Sequence, residues 1–216
     1  MPYSANDFCI LNGRLFFHTP GGEKVLQEVT WAGDTLREFG PSLEFEQGGE
    51  DLSHLLHRPI GAALRKKRNE GRLLCMDQPE LLVLVAEQMG WARAFTPSGT
   101  QVWNVDLPDF HPLHFANPGG TAIAFIPDPE SGTIHGLVSL SQIDSLTFSA
   151  SFRESGLLDQ EGALEVRFLS LQSGEQLDLV KGAEFGACGV TEQGVLVGVS
   201  NYPFLRVGIF ERSPRK

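Results

Sequence analysis

Long apolar runs are missing from this sequence of 216 residues. No segment reaches the roughly 18 apolar residues that a membrane-spanning helix needs, and the first residues do not show a basic stretch followed by an apolar one, as an export signal does. We therefore expect no membrane partner. The cellular location stays open, with a cytoplasmic protein as the default expectation.

Positive charge is also scarce. Lys and Arg number 17 against 27 Asp and Glu, which gives a formal net charge of −10. Such a chain repels the phosphates of nucleic acids and anionic lipids, so nucleic acid is not an expected partner. The basic run at residues 65–68 is an exception. It could be an anion-binding patch or a nuclear-import-like tract, but a solvated turn before Asn69 is the interpretation we favour.

Cysteine is limited to Cys9, Cys75 and Cys188. No two of them form a CxxC pair, and an odd number indicates neither a zinc knuckle nor a complete disulfide framework. We expect buried free thiols.

Glycine, proline and phenylalanine are abundant, with 24, 13 and 15 residues. Short strands separated by turns explain this mixture better than long helices do. The length suits one large domain, so we predict a single all-β domain over residues 1–216.

Four glycines, Gly13, Gly71, Gly132 and Gly194, each begin an apolar segment, at intervals of 58, 61 and 62 residues. A short apolar run precedes each glycine and a further strand candidate follows each segment, as in linked hairpins. The preceding runs are 8–11, 60–64, 121–126 and 185–190, and the third strands are 25–31, 81–86, 146–152 and 205–210. Fourth strands are predicted at 36–39, 101–105 and 164–171, and the last unit has none.

These segments divide the chain into approximate units 7–45, 58–108, 117–180 and 183–212. Alternation of apolar and charged residues at 164–168, where Glu165 and Arg167 point to the opposite face, supports strands. We therefore predict a β-propeller-like array of about four antiparallel four-stranded units. The alternative is an α+β fold with helices near 50–58 and 79–89, and residues 61–69 are similarly ambiguous.

The turn and strand patterns resemble six-bladed β-propeller proteins of the NHL and TolB-like kind. The residues that carry the resemblance are 12–17 (NGRLFF), 31–40 (WAGDTLREFG), 96–103 (TPSGTQVW) and 107–110 (LPDF). A spacing near 60 exceeds the usual ~40 to 50 residues of a blade, so we expect inserted loops at about 41–57, 107–119 and 153–162. Only four units are visible, and an unclosed ring would leave an open sheet edge for self-association.

Two histidine pairs have spacing that suits a metal, His54 with His57 and His111 with His114. Neutral imidazoles three residues apart can share a divalent cation where the backbone turns them to one side. Neither pair carries the glutamate of an HExxH motif, and Pro112 opposes a regular helix. Surface-loop histidines are the alternative, and no cofactor is otherwise expected.

Aromatic and acidic residues gather on turns near the middle of the chain. Their large rings and carboxylates could bind a protein, peptide or carbohydrate ligand, although rings wedged between sheets and ordinary turn aspartates are the more common explanation. The candidate ligand-binding residues are Trp103, Asp106, Asp109, Phe110 and Asp128.

The repeat occurs without any catalytic constellation, since neither a nucleophile motif nor a phosphate-binding loop is present. We therefore expect a propeller-type binding or scaffold module with recognition loops on one face. One alternative, implied by the resemblance, is a metal-dependent hydrolase or lactonase that uses residues among Asp77, Asp106, Asp128, His111, His114 and Asn201. Another is a fragment or divergent relative without independent activity.

Overall fold

The computed structural model describes residues 7–43, 59–116, 124–127, 132–156, 164–183, 185–190, 196–200 and 206–210. The chain forms two compact units, Met1–Asn104 and Val105–Lys216. Strands dominate the described residues, which contain one helix, so the all-β prediction is confirmed. Within those ranges, no helix has the length and apolar character needed to cross a membrane.

The first sheet of the first unit is an antiparallel meander in chain order. Its strands are β1 (Asp7–Leu11), β2 (Arg14–His18), β3 (Lys24–Val29) and β4 (Thr35–Pro41). Asn12 and Gly13 make the turn between β1 and β2 with φ of 50° and 74°, which suits the Asn-Gly pair of a two-residue hairpin. All four predicted strands of this unit are confirmed.

The second sheet follows a helix, α1 (Pro59–Asn69), and is also a meander in chain order. Its strands are β5 (Gly71–Asp77), β6 (Glu80–Ala86), β7 (Trp91–Phe95) and β8 (Gln101–Asp106). Every residue from Leu81 to Ala86 is buried, because β6 is covered on both faces. A helix near 79–89 is therefore wrong, and the alternative helix near 50–58 lies outside the described residues.

Helix α1 corrects two predictions. Residues 60–64 were expected to form a strand and residues 65–68 a turn, but both lie in the helix, with Leu64 and Asn69 buried. The Asn69 side chain accepts a hydrogen bond from the Leu43 N–H (2.8 Å) and donates to the Leu43 carbonyl (3.0 Å), which ties the end of the helix to the chain after β4.

Two turns of the first unit share one hydrogen-bond pattern. Thr30 N–H donates to the Asp34 carbonyl and Thr96 N–H to the Thr100 carbonyl, at 2.9 and 2.8 Å. In each turn the glycine three residues after the threonine, Gly33 or Gly99, has a positive φ of 95° or 94°. Similar segments predicted by sequence therefore form the same turn in both sheets.

A disulfide joins Cys9 in β1 to Cys75 in β5 across 66 residues of sequence. Both half-buried cysteines pack against a core that includes Phe16, Leu82 and Phe95. The prediction of free thiols is wrong for these two residues. The odd number of cysteines led to the wrong prediction, because one disulfide and one further cysteine also give a count of three.

The second unit contains a two-stranded, a four-stranded and a three-stranded antiparallel sheet. Strands β9 (His114–Ala116) and β10 (Ala124–Ile126) form the first. The four-stranded meander consists of β11 (Thr133–Gln142), β12 (Thr147–Gly156), β13 (Leu164–Ser170) and β14 (Gln176–Ala183). The third sheet consists of β15 (Gly186–Val190), β16 (Leu196–Ser200) and β17 (Arg206–Phe210), and no fourth strand was predicted there.

The glycine-led strands do not hold equivalent positions. Strands β2 and β16 lie second in their sheets, as predicted, but β5 and β11 lie first. The helix replaces the expected partner of β5, and the run preceding Gly132 contains β10, which pairs with β9. Strands β7 and β14, which the sequence did not reveal, complete these two sheets to four strands.

Candidate functional site

One face of the β11–β14 sheet carries buried polar side chains. Register places Leu137, Phe152 and Glu165 opposite one another on β11, β12 and β13. Since side chains two residues apart share a face, His135 and Arg167 lie on this face too. His135 is 3% exposed, Glu165 3% and Arg167 0%.

Residues 107–113, here called the cover segment, lie over this face. The Phe110 ring centroid is 4.8 Å from that of His135 and 5.1 Å from that of Phe152. The guanidinium carbon of Arg167 lies 5.6 Å from the Phe110 centroid. Phe110 therefore contacts His135 and Arg167. Leu107 and Leu113 near the two ends of the segment are buried.

Arg167 is held by three of its five N–H groups. Its Nε donates to the Glu165 carboxylate, and its Nη1 donates to the Pro108 carbonyl and to the Gln176 side-chain oxygen, the last at 2.8 Å. Nη2 is buried and has no hydrogen-bond partner in the described part of the chain. Two N–H donors of a buried guanidinium are therefore unused.

Neither ring nitrogen of buried His135 has a hydrogen-bond partner among the described residues. Burial lowers the pKa of His135; Glu165 and Glu154 oppose this shift, and Arg167 and His111 add to it. A lowered pKa keeps the imidazole neutral near pH 7, so it presents one N–H donor and one lone pair. His111 of the cover segment stacks on it with the ring centroids 6.1 Å apart.

We call His135, Glu165, Arg167, Gln176 and Phe110 the His135 cluster. It combines three unused N–H donors and one unused acceptor with an aromatic ring. A buried hydrogen-bonding group without a partner costs roughly 1–3 kcal/mol. The cluster is thus suited to bind a polar group that supplies the missing partners.

The first unit contains a contrasting charged cluster in which both oxygens of the carboxylate accept hydrogen bonds from arginines. Glu28 accepts two hydrogen bonds from Arg14, both 2.7 Å, and one from Arg37, 2.6 Å. These arginines lower the pKa of Glu28 to about 2. Both also donate to the Pro97 carbonyl of the second sheet's turn. This cluster has a structural role, because both arginines bind Glu28 of the first sheet and the Pro97 carbonyl of the second.

The predicted site residues lie in different places. Phe110 belongs to the His135 cluster and His111 stacks against it, whereas Asp109 is an exposed residue of the cover segment with φ of 52°. Trp103 is 8% exposed within β8, where it offers little surface to a ligand. Asp106 and Asp77 are exposed at strand ends, and His114 is half-buried in β9. His54, His57, Asp128 and Asn201 lie outside the described residues.

Within the described ranges, no three His, Cys, Asp or Glu side chains lie close enough together to hold a metal ion. Whether the two predicted histidine pairs bind a cation stays a prediction.

Sequence reasoning missed His135, Glu165 and Arg167. Alternation in 164–168 correctly predicted a strand with Glu165 and Arg167 on the face opposite to the apolar residues, but it did not indicate that this face is covered, and both residues are buried. The opposite face of β13 packs Val166 and Phe168 in an apolar cluster. The sequence did contain one signal for a buried site, a Glu-x-Arg pair on one face of a strand. The opposite charges of such a pair can neutralise each other when the face is buried.

Comparison with known proteins does not assign the chain to a family. No family model matches the chain, and no curated protein matches it at a significant level. Among solved structures, the crystal structure of the computationally designed Ika8 protein is 10% identical with a TM-score of 0.34, covering 94% of this chain and 70% of that one. So distant a likeness carries no argument about this chain.

Proposed function

We propose that this protein is a non-enzymatic binding module whose second unit holds a ligand at the His135 cluster. The observation that carries the proposal is the buried set of unused hydrogen-bonding groups on Arg167 and His135 beneath Phe110. A ligand that reaches them recovers interactions that the described chain leaves unmade. The cover segment is the recognition loop.

The surroundings favour binding over acid–base chemistry. Glu165 is engaged by Arg167, and His135 contacts aromatic rings without a hydrogen-bonded carboxylate or nucleophile beside it in the described part of the chain. General-base catalysis needs the base within hydrogen-bond reach of the proton that it removes. A metal-dependent hydrolase needs several converging ligands, and within the described ranges no three His, Cys, Asp or Glu side chains come together to hold a metal ion.

We further propose that the four-stranded meanders are blades of a propeller-like array. Three sheets in which strand order equals chain order support this proposal, because a blade has this topology. The ligand site then lies on one blade face, beneath a loop that precedes it in the chain.

A ligand screen tests the binding function. Capped peptides, oligosaccharides and small polar aromatics are added to the full chain, and binding is followed by thermal shift and by ¹H–¹⁵N NMR. We expect binders whose shifts centre on residues 107–113, β11 and β13. Phe110→Ala should weaken them at least about tenfold, as loss of a central aromatic contact does.

The matched control is Val138→Thr, a nearly isosteric change at an exposed position of β11. It should leave binding unchanged. Binders that map only to the first unit, equal losses in both variants, or turnover of a compound without stable binding would contradict the proposed function.

A further inference from the structure

We infer that the His135 cluster recognises an uncharged amide, the group carried by a peptide bond or by an Asn or Gln side chain. This inference rests on the proposed binding function and names the chemical class of its ligand.

The unused groups require a ligand that both accepts and donates. Arg167 Nη2 offers two N–H donors, and the neutral His135 ring offers one donor and one lone pair. An amide oxygen can accept from Nη2 while an amide N–H donates to the imidazole lone pair. A carboxylate has no proton to donate, so it leaves that lone pair without a partner.

The charges around His135 disfavour an ionic ligand. Glu154 on β12 and Glu165 on β13 act on the imidazole as negative charges, Arg167 acts as a positive charge, and His111 contacts it from the cover segment. A carboxylate would add a third negative charge near one buried guanidinium, and a cation would face that guanidinium directly. Bringing a charge into such a site costs several kcal/mol of desolvation, whereas an uncharged amide avoids this cost.

Arg167 already binds two neutral amide-type oxygens on its other edge. Nη1 donates to the peptide carbonyl of Pro108 and to the carboxamide oxygen of Gln176. A ligand amide at Nη2 would extend the same arrangement. The Phe110 ring, which lies over both Arg167 and His135, offers a flat apolar surface to the group that carries the amide.

Three probes of nearly equal shape separate the ligand classes. Benzamide is neutral, benzoate is anionic and benzamidine is cationic at pH 7.5. Each is titrated into the full chain while ¹H–¹⁵N shifts of residues in β11, β13 and the cover segment are recorded. We expect benzamide to bind at least about tenfold more tightly than either ion, as charge mismatch in a buried site requires. N,N-dimethylbenzamide, which lacks an N–H, should bind several-fold more weakly than benzamide.

Variants connect the probes to the cluster. His135→Phe keeps a flat ring and removes both nitrogens, so benzamide binding should fall at least about fivefold, the cost of a lost hydrogen bond. Val138→Thr should bind benzamide as the parent does. If His135→Phe does not fold, Phe110→Leu provides the second variant, with the same expected loss.

The outcomes distinguish the two proposals. Tighter binding of benzoate or benzamidine at this cluster overturns the amide inference and leaves the binding function standing. Peptide or sugar binders at the cluster with no benzamide preference do the same. Absence of any saturable binder at the cluster overturns both.

Discussion

Reduction of the disulfide should destabilise the first unit by a calculable amount. Cys9 and Cys75 close a loop of 66 residues between β1 and β5. Cross-linking restricts the unfolded chain, and the loop-entropy relation gives about 4 kcal/mol for this length at 25 °C.

Urea unfolding followed by tryptophan fluorescence measures this effect. Trp31, Trp91 and Trp103 are the three tryptophans of the sequence, and all lie in the first unit, so the signal reports that unit. The free energy of unfolding should fall by about 4 kcal/mol with reductant or in Cys9→Ser/Cys75→Ser. Cys188→Ser, which leaves the bridge intact, is the control. Equal stability within about 1 kcal/mol, or two free thiols at Cys9 and Cys75 by mass spectrometry under oxidising conditions, would refute the reasoning.

Three further predictions concern His18, His135 and strand β17. Burial lowers the pKa of His18 to about 4 from its ordinary 6.5, so the first unit should keep full stability above pH 6.5 and lose roughly 3 kcal/mol as the pH falls to 4. Urea midpoints measured at pH 7 and pH 5 check this prediction. A His18→Leu variant should lose less stability than the parent between these two pH values, and an equal loss in the two proteins would contradict the prediction. His135→Phe should raise the free energy of unfolding of the second unit by about 1 kcal/mol, because two buried nitrogens without partners disappear; calorimetry that shows a large loss would argue that the ring nitrogens are bonded. Val207 and Ile209 on β17, the last strand of the three-stranded sheet, are 68% and 73% exposed. We therefore expect the chain to self-associate through this edge and Ile209→Lys to weaken that association. Sedimentation that shows the same mass for the parent and the variant at all concentrations would exclude self-association through β17.

Local signals in the sequence predicted the first sheet well. Asn12-Gly13 defines a two-residue hairpin, and period-two alternation defines the strands on either side. The repeated turns around Gly33 and Gly99 were equally visible. These features depend on residues that are neighbours in the chain.

Features that depend on distant residues escaped prediction. Nothing near Cys9 indicates that Cys75 is its partner, and nothing near residues 60–68 decides between helix and strand. Likewise, alternation placed Glu165 and Arg167 on one face of β13 but could not show that this face is covered. Phe110, more than 50 residues earlier in the chain, covers it. The sequence therefore predicted only part of the candidate site. Phe110 and His111 were identified as candidate residues, and the buried groups that they contact were not.

The state of the His135 ring tests the central claim most directly. Side-chain ¹⁵N NMR of histidine-labelled protein reports protonation and hydrogen bonding of both ring nitrogens. We predict that the ring becomes protonated at a lower pH than an ordinary histidine, because burial lowers the pKa of His135, and that the signal of its unprotonated nitrogen changes when benzamide is added. A ring that becomes protonated at the pH of an ordinary histidine or above it, or nitrogen signals that stay unchanged at saturating concentrations of every ligand in the screen, would contradict the account.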